Sequence, residues 1–174
     1  MGVVISDAGP LIALARIDHL DLLRQVFGAV VLTAVVAEEI GIDATGEAAA
    51  ARAGAAAIGE ALAVGWLTIS DFGAEVRFQP LNPGVDAGEC STISLALHWQ
   101  ATGERVLVIV DDRCGRAEAR SQGVAIIGTA AVLVLAKERN LIPACGPLLL
   151  ALRDQGYFLS DGVVAAVLAE AREG

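Results

Sequence analysis

The stretch VLVIVDD, residues 106–112, decides the fold class of this chain, because five apolar residues end abruptly at two carboxylates, Asp111 and Asp112. Such short, continuous apolar runs are typical of strands buried on both faces of a parallel sheet. The same arrangement occurs near the start, where the run Val3–Ser6 ends at Asp7. Since ligands of open α/β sheets bind beyond the carboxyl ends of the strands, the sequence predicts that these aspartates meet at one site.

Strand and helix signals alternate along the whole chain, and this alternation predicts parallel βαβ units. The predicted strands are Val3–Ser6, Ala29–Leu32, Trp66–Ile69, Val106–Val110 and Val124–Ile127. The predicted helices are Pro10–Val26 with a break near Asp18 as an N-cap, Ala34–Ile40, Glu47–Val64, Asp86–Ala101, Arg113–Gln122, Thr129–Arg139, Pro147–Gln155 and Asp161–Arg172. A turn is predicted over Gly41–Gly46 and a loop over Asp71–Gly84. We expect one domain over residues 1–174, with a three-layer α/β fold and a helical C-terminal segment.

The composition limits the functions that the chain can have. Twelve basic and 21 acidic side chains give 12 − 21 = −9, with a pI near 4.6, whereas nucleic-acid-binding proteins usually carry a basic surface. Four carboxylates that await a cation would account for part of this charge. Three cysteines without a CxxC pair fit a reducing cytoplasm. The sequence shows no signal peptide and no apolar stretch of membrane-spanning length, so we expect a soluble, cytoplasmic protein.

Each aspartate has a plainer alternative to metal binding. Asp7 could be the N-cap of the next helix, with Pro10 in the first turn. Asp111 and Asp112 are neighbours in an extended segment, so they point to opposite faces and only one is expected to be a direct ligand. The alternative is one N-cap and one surface aspartate.

Two glutamates on predicted helices complete a four-carboxylate set. Glu39 lies one turn after an apolar pair, although a Glu38–Glu39 pair is often simply solvated. Glu89 lies on an apolar helical stripe and therefore needs a partner, which could be a metal or, in a capping box, the Asp86 end of its own helix. Such a set suits a hard divalent cation and indicates metal-assisted phosphodiester chemistry.

Basic residues form one helical stripe directly after the aspartate pair, at Arg113, Arg116 and Arg120. Substrate phosphates could lie there, and the alternative is a solvated face partly balanced by Glu118. The two histidines, His19 and His98, are far apart in sequence, so they indicate neither a zinc pair nor a catalytic dyad. The sequence also lacks phosphate-binding, serine-hydrolase and zinc-protease motifs, so it does not support those mechanisms.

Together, five stretches resemble the PIN-domain proteins of the VapC-like toxin type, in the subfamily with a GE helix and a DDR-x-x-R segment. They are VISDAGPLIALARI, VVLTAVVAEEI, DAGECSTISLAL, VLVIVDDRCGRAEARSQGVAIIGTAAVLVLAKERNLI and LLLALRDQGYFLSDGVVAAVL. The resemblance extends from residue 3 to about residue 168, and its specificity comes from the order and spacing of short motifs.

The resemblance implies a parallel sheet of about five strands, an acidic Mg²⁺ or Mn²⁺ site and an endoribonuclease that leaves a 5′-phosphate and a 3′-hydroxyl. Asp7, Glu39, Glu89 and either Asp111 or Asp112 match the family's acidic positions; Asp7, Glu89, Asp111 and Asp112 are the expected metal ligands. A fifth acidic or hydroxyl position is not evident. Family members commonly dimerise and pair with a small antitoxin protein.

Two other classes of protein are alternatives to the nuclease hypothesis. The first is a PIN-fold protein with weak or no activity that acts as a binding partner, which the charge of −9 supports. The second is a phosphoacceptor receiver-like α/β domain, which also uses aspartates at strand ends and Mg²⁺. A receiver-like domain would not need Glu39 and Glu89 to converge on Asp7, so the positions of these glutamates separate the two.

Overall fold

A computed structural model describes residues 2–42, 54–70, 72 and 78–173. The strands are β1 Val3–Ser6, β2 Val30–Thr33, β3 Leu67–Ser70, β4 Val106–Ile109 and β5 Ala125–Ile127. The helices are α1 Ala8–Arg16, α2 Asp21–Phe27, α3 Ala34–Ile40, α4 Ala55–Val64, α5 Ala87–Ala101, α6 Arg113–Ser121, α7 Thr129–Glu138, α8 Gly146–Asp154 and α9 Asp161–Glu170. Most of the predicted turn over 41–46, the first part of the predicted helix over 47–64 and part of the predicted loop over 71–84 lie outside the described residues.

The five strands form one parallel sheet in the order β3-β2-β1-β4-β5, which confirms the predicted α/β fold. From β1 the chain proceeds outward through β2 and β3 and then returns to the other side of β1 as β4. The order of the strands therefore reverses between β1 and β4, where Ser6 is paired with Ile109. A crevice opens at such a reversal, and the residues that follow these two strands are the best placed to bind a ligand.

Alternate residues of the strands β1, β2 and β4 face two separate cores, as expected for a sheet covered on both sides. In β4, Ile109 belongs to the larger core, which is formed with α1, α2, α7, α8 and α9. Val106 and Val108 belong to the smaller core, which α5 and α6 cover. Burying each such side chain contributes ~1.5–3 kcal/mol relative to leaving it exposed. Among the described helices, none is long and apolar enough to cross a membrane.

The predicted helix over 10–26 is two helices, and the predicted role of Asp18 was wrong. Helix α1 begins at Ala8 and α2 begins after Leu20, which has no side-chain capping bond. Asp18 lies between them at φ 56°, in the left-handed region that aspartate tolerates better than most residues. The break near this residue was predicted correctly, but Asp18 turns the chain and does not cap α2.

The C-terminal end of the described chain is tied to the start of α8 by one carboxylate. Glu173 accepts hydrogen bonds from the backbone amides of Cys145 and Gly146, at 2.6 and 2.9 Å, and pairs with the Lys137 ammonium at 2.6 Å. The hydrogen bond from Lys137 and those from the two amides lower the pKa of Glu173 to about 2. The charged carboxylate therefore satisfies amides that a helix start leaves without partners.

Glu173→Gln is expected to loosen this connection without unfolding the protein. Because the pKa of Glu173 is lower in the folded state, its stabilising effect is present above the ordinary pKa of about 4.5 and is lost as the pH falls towards 2. Hydrogen exchange of the Cys145 and Gly146 amides at neutral pH should be faster in Glu173→Gln. Glu170→Gln, at an exposed position on α9, is the matched control and should leave both amides unchanged. Equal exchange in both variants would contradict this role.

Candidate active site

Asp7 follows β1 directly, at the point where the strand order reverses. Its side chain is only 8 % exposed, and although it occupies the N-cap position of α1 it accepts no capping hydrogen bond. The Oδ1 atom is buried without a hydrogen-bond partner. Burial and the nearby charge of Glu39, with smaller contributions from Asp86 and Asp111, raise the pKa of Asp7 to about 7. A backbone hydrogen bond from Ala8 opposes this rise in pKa, so the carboxylate is not without contacts. The capping alternative nevertheless does not account for the Oδ1 atom, which lacks a partner.

Glu39 brings a second carboxylate to Asp7. It is exposed on α3, and Gly88 at the start of α5 lies between the two acids. A Cβ atom built on Gly88 would lie 2.6 Å from Glu39 Oε2 and 3.5 Å from Asp7 Oδ1, with Asp86 Oδ1 at 3.3 Å. Glycine therefore lets the three carboxylates lie close to this backbone position, and a larger residue would displace the exposed end of Glu39.

A chain of buried hydroxyl groups fixes α3 against α5. The backbone amide of Val36 donates to Thr33 Oγ1 at 3.1 Å, and this bond caps α3. Ser91 Oγ donates to the Gly88 carbonyl at 2.7 Å. Each hydroxyl has a single proton, so in the 2.7 Å contact between Thr33 and Ser91 the threonine is the donor. Thr33 thus holds the helix that carries Glu39 against the helix start at Gly88.

Glu89 forms the capping box that was the alternative to a ligand role. The Asp86 carboxylate accepts from the Glu89 amide at 2.8 Å, and Glu89 Oε2 accepts from the Asp86 amide at 3.0 Å. The Glu89 side chain is nevertheless 3 % exposed and packs against Gly115 of α6. Burial, then the charges of Asp86 and Asp112, raise its pKa to about 7. A capping role does not need this degree of burial.

Asp112 caps α6 and hydrogen-bonds to Glu89. Its Oδ1 accepts from the amides of Cys114 and Gly115, at 2.6 and 3.2 Å. Although partial burial opposes it, these amides and the Glu89 side chain lower the pKa of Asp112. Because the pKa of Glu89 is raised and that of Asp112 is lowered, Glu89 is the member of the pair that holds a proton near neutral pH.

Asp111 has a different environment from Asp112. Its two oxygens accept from the Thr129 amide at 2.8 Å and from the Thr129 hydroxyl at 2.6 Å, at the start of α7. The Tyr157 hydroxyl also hydrogen-bonds to Asp111, and burial together with this carboxylate raises the pKa of Tyr157. A Cβ atom on Gly128 would lie 2.8 Å from both Asp111 Oδ1 and the Arg116 guanidinium. Of the two aspartates, Asp111 is the one whose charge contributes to the raised pKa of Asp7.

A family model described as a PIN domain matches residues 3–173. The chain belongs to the PIN-domain family. PIN domains are generally nucleases, which makes a hydrolase the enzyme class that this membership supports. No curated protein and no solved structure gives a significant match to the chain.

Among the described residues of this PIN domain, no three Asp, Glu, His or Cys side chains are grouped closely enough to hold a metal ion. The carboxylates form two adjoining groups, one around Gly88 and one at the contact of Glu89 with Asp112. The donor chemistry still fits a hard cation, because carboxylate oxygens are the ligands that Mg²⁺ and Mn²⁺ prefer. The unpartnered Oδ1 of Asp7, with its raised pKa, supplies an acceptor that no protein group satisfies.

The arginine stripe of the PIN domain is divided in two by the structure. Arg113 and Arg120 are exposed, whereas Arg116 turns inward and donates to the Val110 carbonyl at 3.0 Å. Glu118 does not balance these arginines, so that part of the alternative was wrong, whereas the exposed Arg113 and Arg120 still allow a solvated face. It is 1 % exposed, and its Oε2 accepts from the amides of Leu81 and Asn82. These bonds, with one from Gln122, lower the pKa of Glu118 and hold the loop before Asp86.

Sequence reasoning missed two residues of the site. Asp86 was considered only as a helix cap, yet its carboxylate also lies beside Glu39 and Asp7 around Gly88. Thr129 was not singled out in the sequence, yet its hydroxyl donates to Asp111 at 2.6 Å. The available signal was the Gly128-Thr129 pair after β5, since a small residue and a hydroxyl at a strand end suit a close contact with a carboxylate.

Proposed function

We propose that this PIN domain is a Mg²⁺- or Mn²⁺-dependent endoribonuclease that hydrolyses phosphodiester bonds in RNA. The observation that carries the proposal is Asp7, a buried carboxylate at the sheet reversal whose Oδ1 atom has no hydrogen-bond partner and whose pKa is raised to about 7. Glu39 lies beside Asp7, which favours a nuclease over a receiver-like domain, whereas Glu89 lies in the adjoining group with Asp112. Membership of a family whose members are generally nucleases supports the same conclusion.

In this proposal Asp7 and Asp111 are the principal metal ligands, and Glu39 joins them directly or through water. Glu89 of α5 and Asp112 at the start of α6 complete the acidic site. When bound, the cation would lower the pKa of a water molecule and stabilise negative charge on the phosphate. Glu89, whose pKa is about 7, is suited to hold and release a proton near neutral pH. The exposed Arg113 and Arg120 would contact substrate phosphates, and Arg116 would position Asp111.

The test is cleavage of an end-labelled single-stranded RNA by the purified protein with Mg²⁺ or Mn²⁺. We expect cleavage that leaves a 5′-phosphate and disappears both in EDTA and in Asp7→Asn. Exposed Glu170→Gln, on α9, is the matched control and should cleave like the wild type. Cleavage that survives in Asp7→Asn would show that the activity comes from a contaminant or another site, and would end this proposal.

A PIN-fold binding partner without activity is the second candidate. It is favoured by the absence of a three-ligand metal group from the part of the chain that the structure describes, and by the net charge of −9. Calorimetric titration with Mn²⁺ separates the two candidates. The nuclease proposal requires binding that is lost in Asp7→Asn, whereas well-folded protein that neither binds Mn²⁺ nor cuts RNA would support the inactive candidate.

The cellular role belongs to the same proposal. We propose that the chain is the toxin of a toxin–antitoxin pair, acts in the cytoplasm and forms a homodimer. The exposed apolar side chains Leu150, Phe158 and Val163, along the α8–α9 hairpin, offer contact surface for a protein partner. The cysteines Cys90, Cys114 and Cys145 are all free thiols, in keeping with a reducing compartment.

A further inference from the structure

A cavity of about 600 Å³ lies at the amino-terminal edge of the sheet. It is bounded by the first residues of β1 and β4 and by the end of α2 up to Gly28. Four residues per strand, at about 3.3 Å each, place it roughly 13 Å from the carboxylates at the opposite edge. The cavity, called here the arginine groove, is therefore separate from the candidate active site.

Three arginines from different parts of the chain line the arginine groove: Arg24 of α2, Arg105 before β4 and Arg139 after α7. Among the described residues that line it there is no carboxylate, although the protein carries a net charge of −9. Arg24 is 3.7 Å from Asp21, but both side chains are more than half exposed, and such pairs contribute little. The groove thus concentrates positive charge in an acidic protein.

The guanidinium groups of Arg139 and Arg105 differ in their hydrogen bonds. Arg139 donates to the Val26 carbonyl, which fixes its side chain at the rim. Arg105 is exposed, and within the described ranges its side chain has no hydrogen bond and no ion pair. Because a guanidinium carries five N–H donors in a planar fork, most of these donors remain available to an anion.

The walls of the groove are apolar beside this charge. Phe27 and Leu107 are half-buried and form the wall, and the buried Val4 and Val26 pack in the same core. A volume of about 600 Å³ is within the range of small-molecule sites, and a mixed lining of this kind suits a ligand with one charged and one apolar end. A bare anion would leave the apolar wall unused.

We propose that the arginine groove binds an organic phosphate of nucleotide size. The phosphate group accepts hydrogen bonds from Arg105 and Arg139, because guanidinium groups match phosphate oxygens in charge and geometry. The sugar and base lie against the wall around Phe27 and Leu107. This site is independent of the proposed nuclease activity, because none of the acidic residues of the active site lines it.

The test is isothermal titration calorimetry of the full chain with adenosine 5′-monophosphate, and separately with inorganic phosphate, in buffer containing EDTA. We expect one saturable site for the nucleotide, with inorganic phosphate binding more weakly. Arg105→Gln should weaken nucleotide binding about tenfold, by removing a charge-assisted contact. Arg172→Gln, which removes an exposed arginine outside the groove, should bind like the wild type.

Three results would overturn the proposal. The first is no saturable binding of adenosine monophosphate up to about 1 mM. The second is unchanged affinity in both Arg105→Gln and Arg139→Gln, with circular dichroism showing that both variants are folded. The third is an affinity for inorganic phosphate equal to the affinity for the nucleotide. Because EDTA removes divalent cations, the proposed nuclease site holds no metal during the titration. The result therefore does not depend on whether the protein cleaves RNA.

Discussion

Asp7→Asn is expected to stabilise the metal-free protein at pH 8 while removing its ability to bind a divalent cation. Because the pKa of Asp7 is raised from 3.8 to about 7, ionisation of this carboxylate destabilises the folded state by about 4 kcal/mol. Asparagine has no charge to bury, but its amide leaves a buried polar group without a partner, which costs ~1–3 kcal/mol. The net gain in the free energy of unfolding should be about 2 kcal/mol.

The direction of the pH dependence follows from the raised pKa of Asp7. Between about pH 4 and pH 7 the folded protein holds a proton on this carboxylate that the unfolded chain has released. The free energy of unfolding of the metal-free wild type therefore falls as the pH rises through this window, and Glu89 contributes in the same direction. Above about pH 7 the contribution of both groups becomes constant.

Urea denaturation in EDTA at several pH values measures this effect. The difference in stability between Asp7→Asn and the wild type should grow from pH 5 to pH 8. Adding Mn²⁺ at pH 8 should stabilise the wild type and leave Asp7→Asn unchanged, since a ligand that binds only the folded state raises its stability. Asp154→Asn, at an exposed position, is the control and should follow the wild type. A variant less stable than the wild type at pH 8 would contradict the account of Asp7.

Gly115→Ala is expected to destabilise the protein and to abolish the proposed cleavage, although alanine favours helices. A Cβ atom at this position of α6 would lie 2.5 Å from Glu89 Oε1, 2.6 Å from its Cδ and 3.0 Å from its Cγ. The clash involves the stem of the side chain as well as its end, so Glu89 must leave its buried position. We expect a loss of ~1–3 kcal/mol from overpacking, together with loss of the hydrogen bond to Asp112.

Gly9→Ala is the matched control for stability, because Gly9 lies within α1 and a Cβ atom there meets nothing within 4 Å. Replacing a helical glycine without a clash should raise the free energy of unfolding by about 0.5–1 kcal/mol. Thermal denaturation of the two variants should therefore give shifts of opposite sign. If both alanine variants were stabilised to the same extent, Glu89 would not be packed against Gly115 as described.

The fold could be predicted from the sequence because its determinants are local. Apolar runs that end at Asp7 and Asp111 mark parallel strands, and the capping box at Asp86 marks the start of α5. In contrast, the different environments of Asp111 and Asp112 depend on Thr129, at the start of a later helix. No periodicity in the sequence encodes such a contact.

The burial of Glu118 and the arginine groove were also beyond sequence reasoning. Glu118 lies on a charged helix, and only the loop amides of Leu81 and Asn82 explain why its carboxylate is buried. Arg24, Arg105 and Arg139 come from three distant segments and meet only after the sheet has formed. The sequence predicts the stripe of arginines on α6 because these residues are close in sequence. It does not predict a cluster whose members meet only in the tertiary structure.

The hydroxyl chain between α3 and α5 has an evolutionary consequence. Thr33 donates to Ser91, and Ser91 donates to the Gly88 carbonyl, so removing either hydroxyl leaves a buried neighbour unsatisfied. Replacing both by apolar residues removes the bond between the two hydroxyls, but it also takes a partner from the Val36 amide and from the Gly88 carbonyl. Both positions should therefore keep a hydroxyl, so that exchange between serine and threonine is tolerated while an apolar residue is selected against.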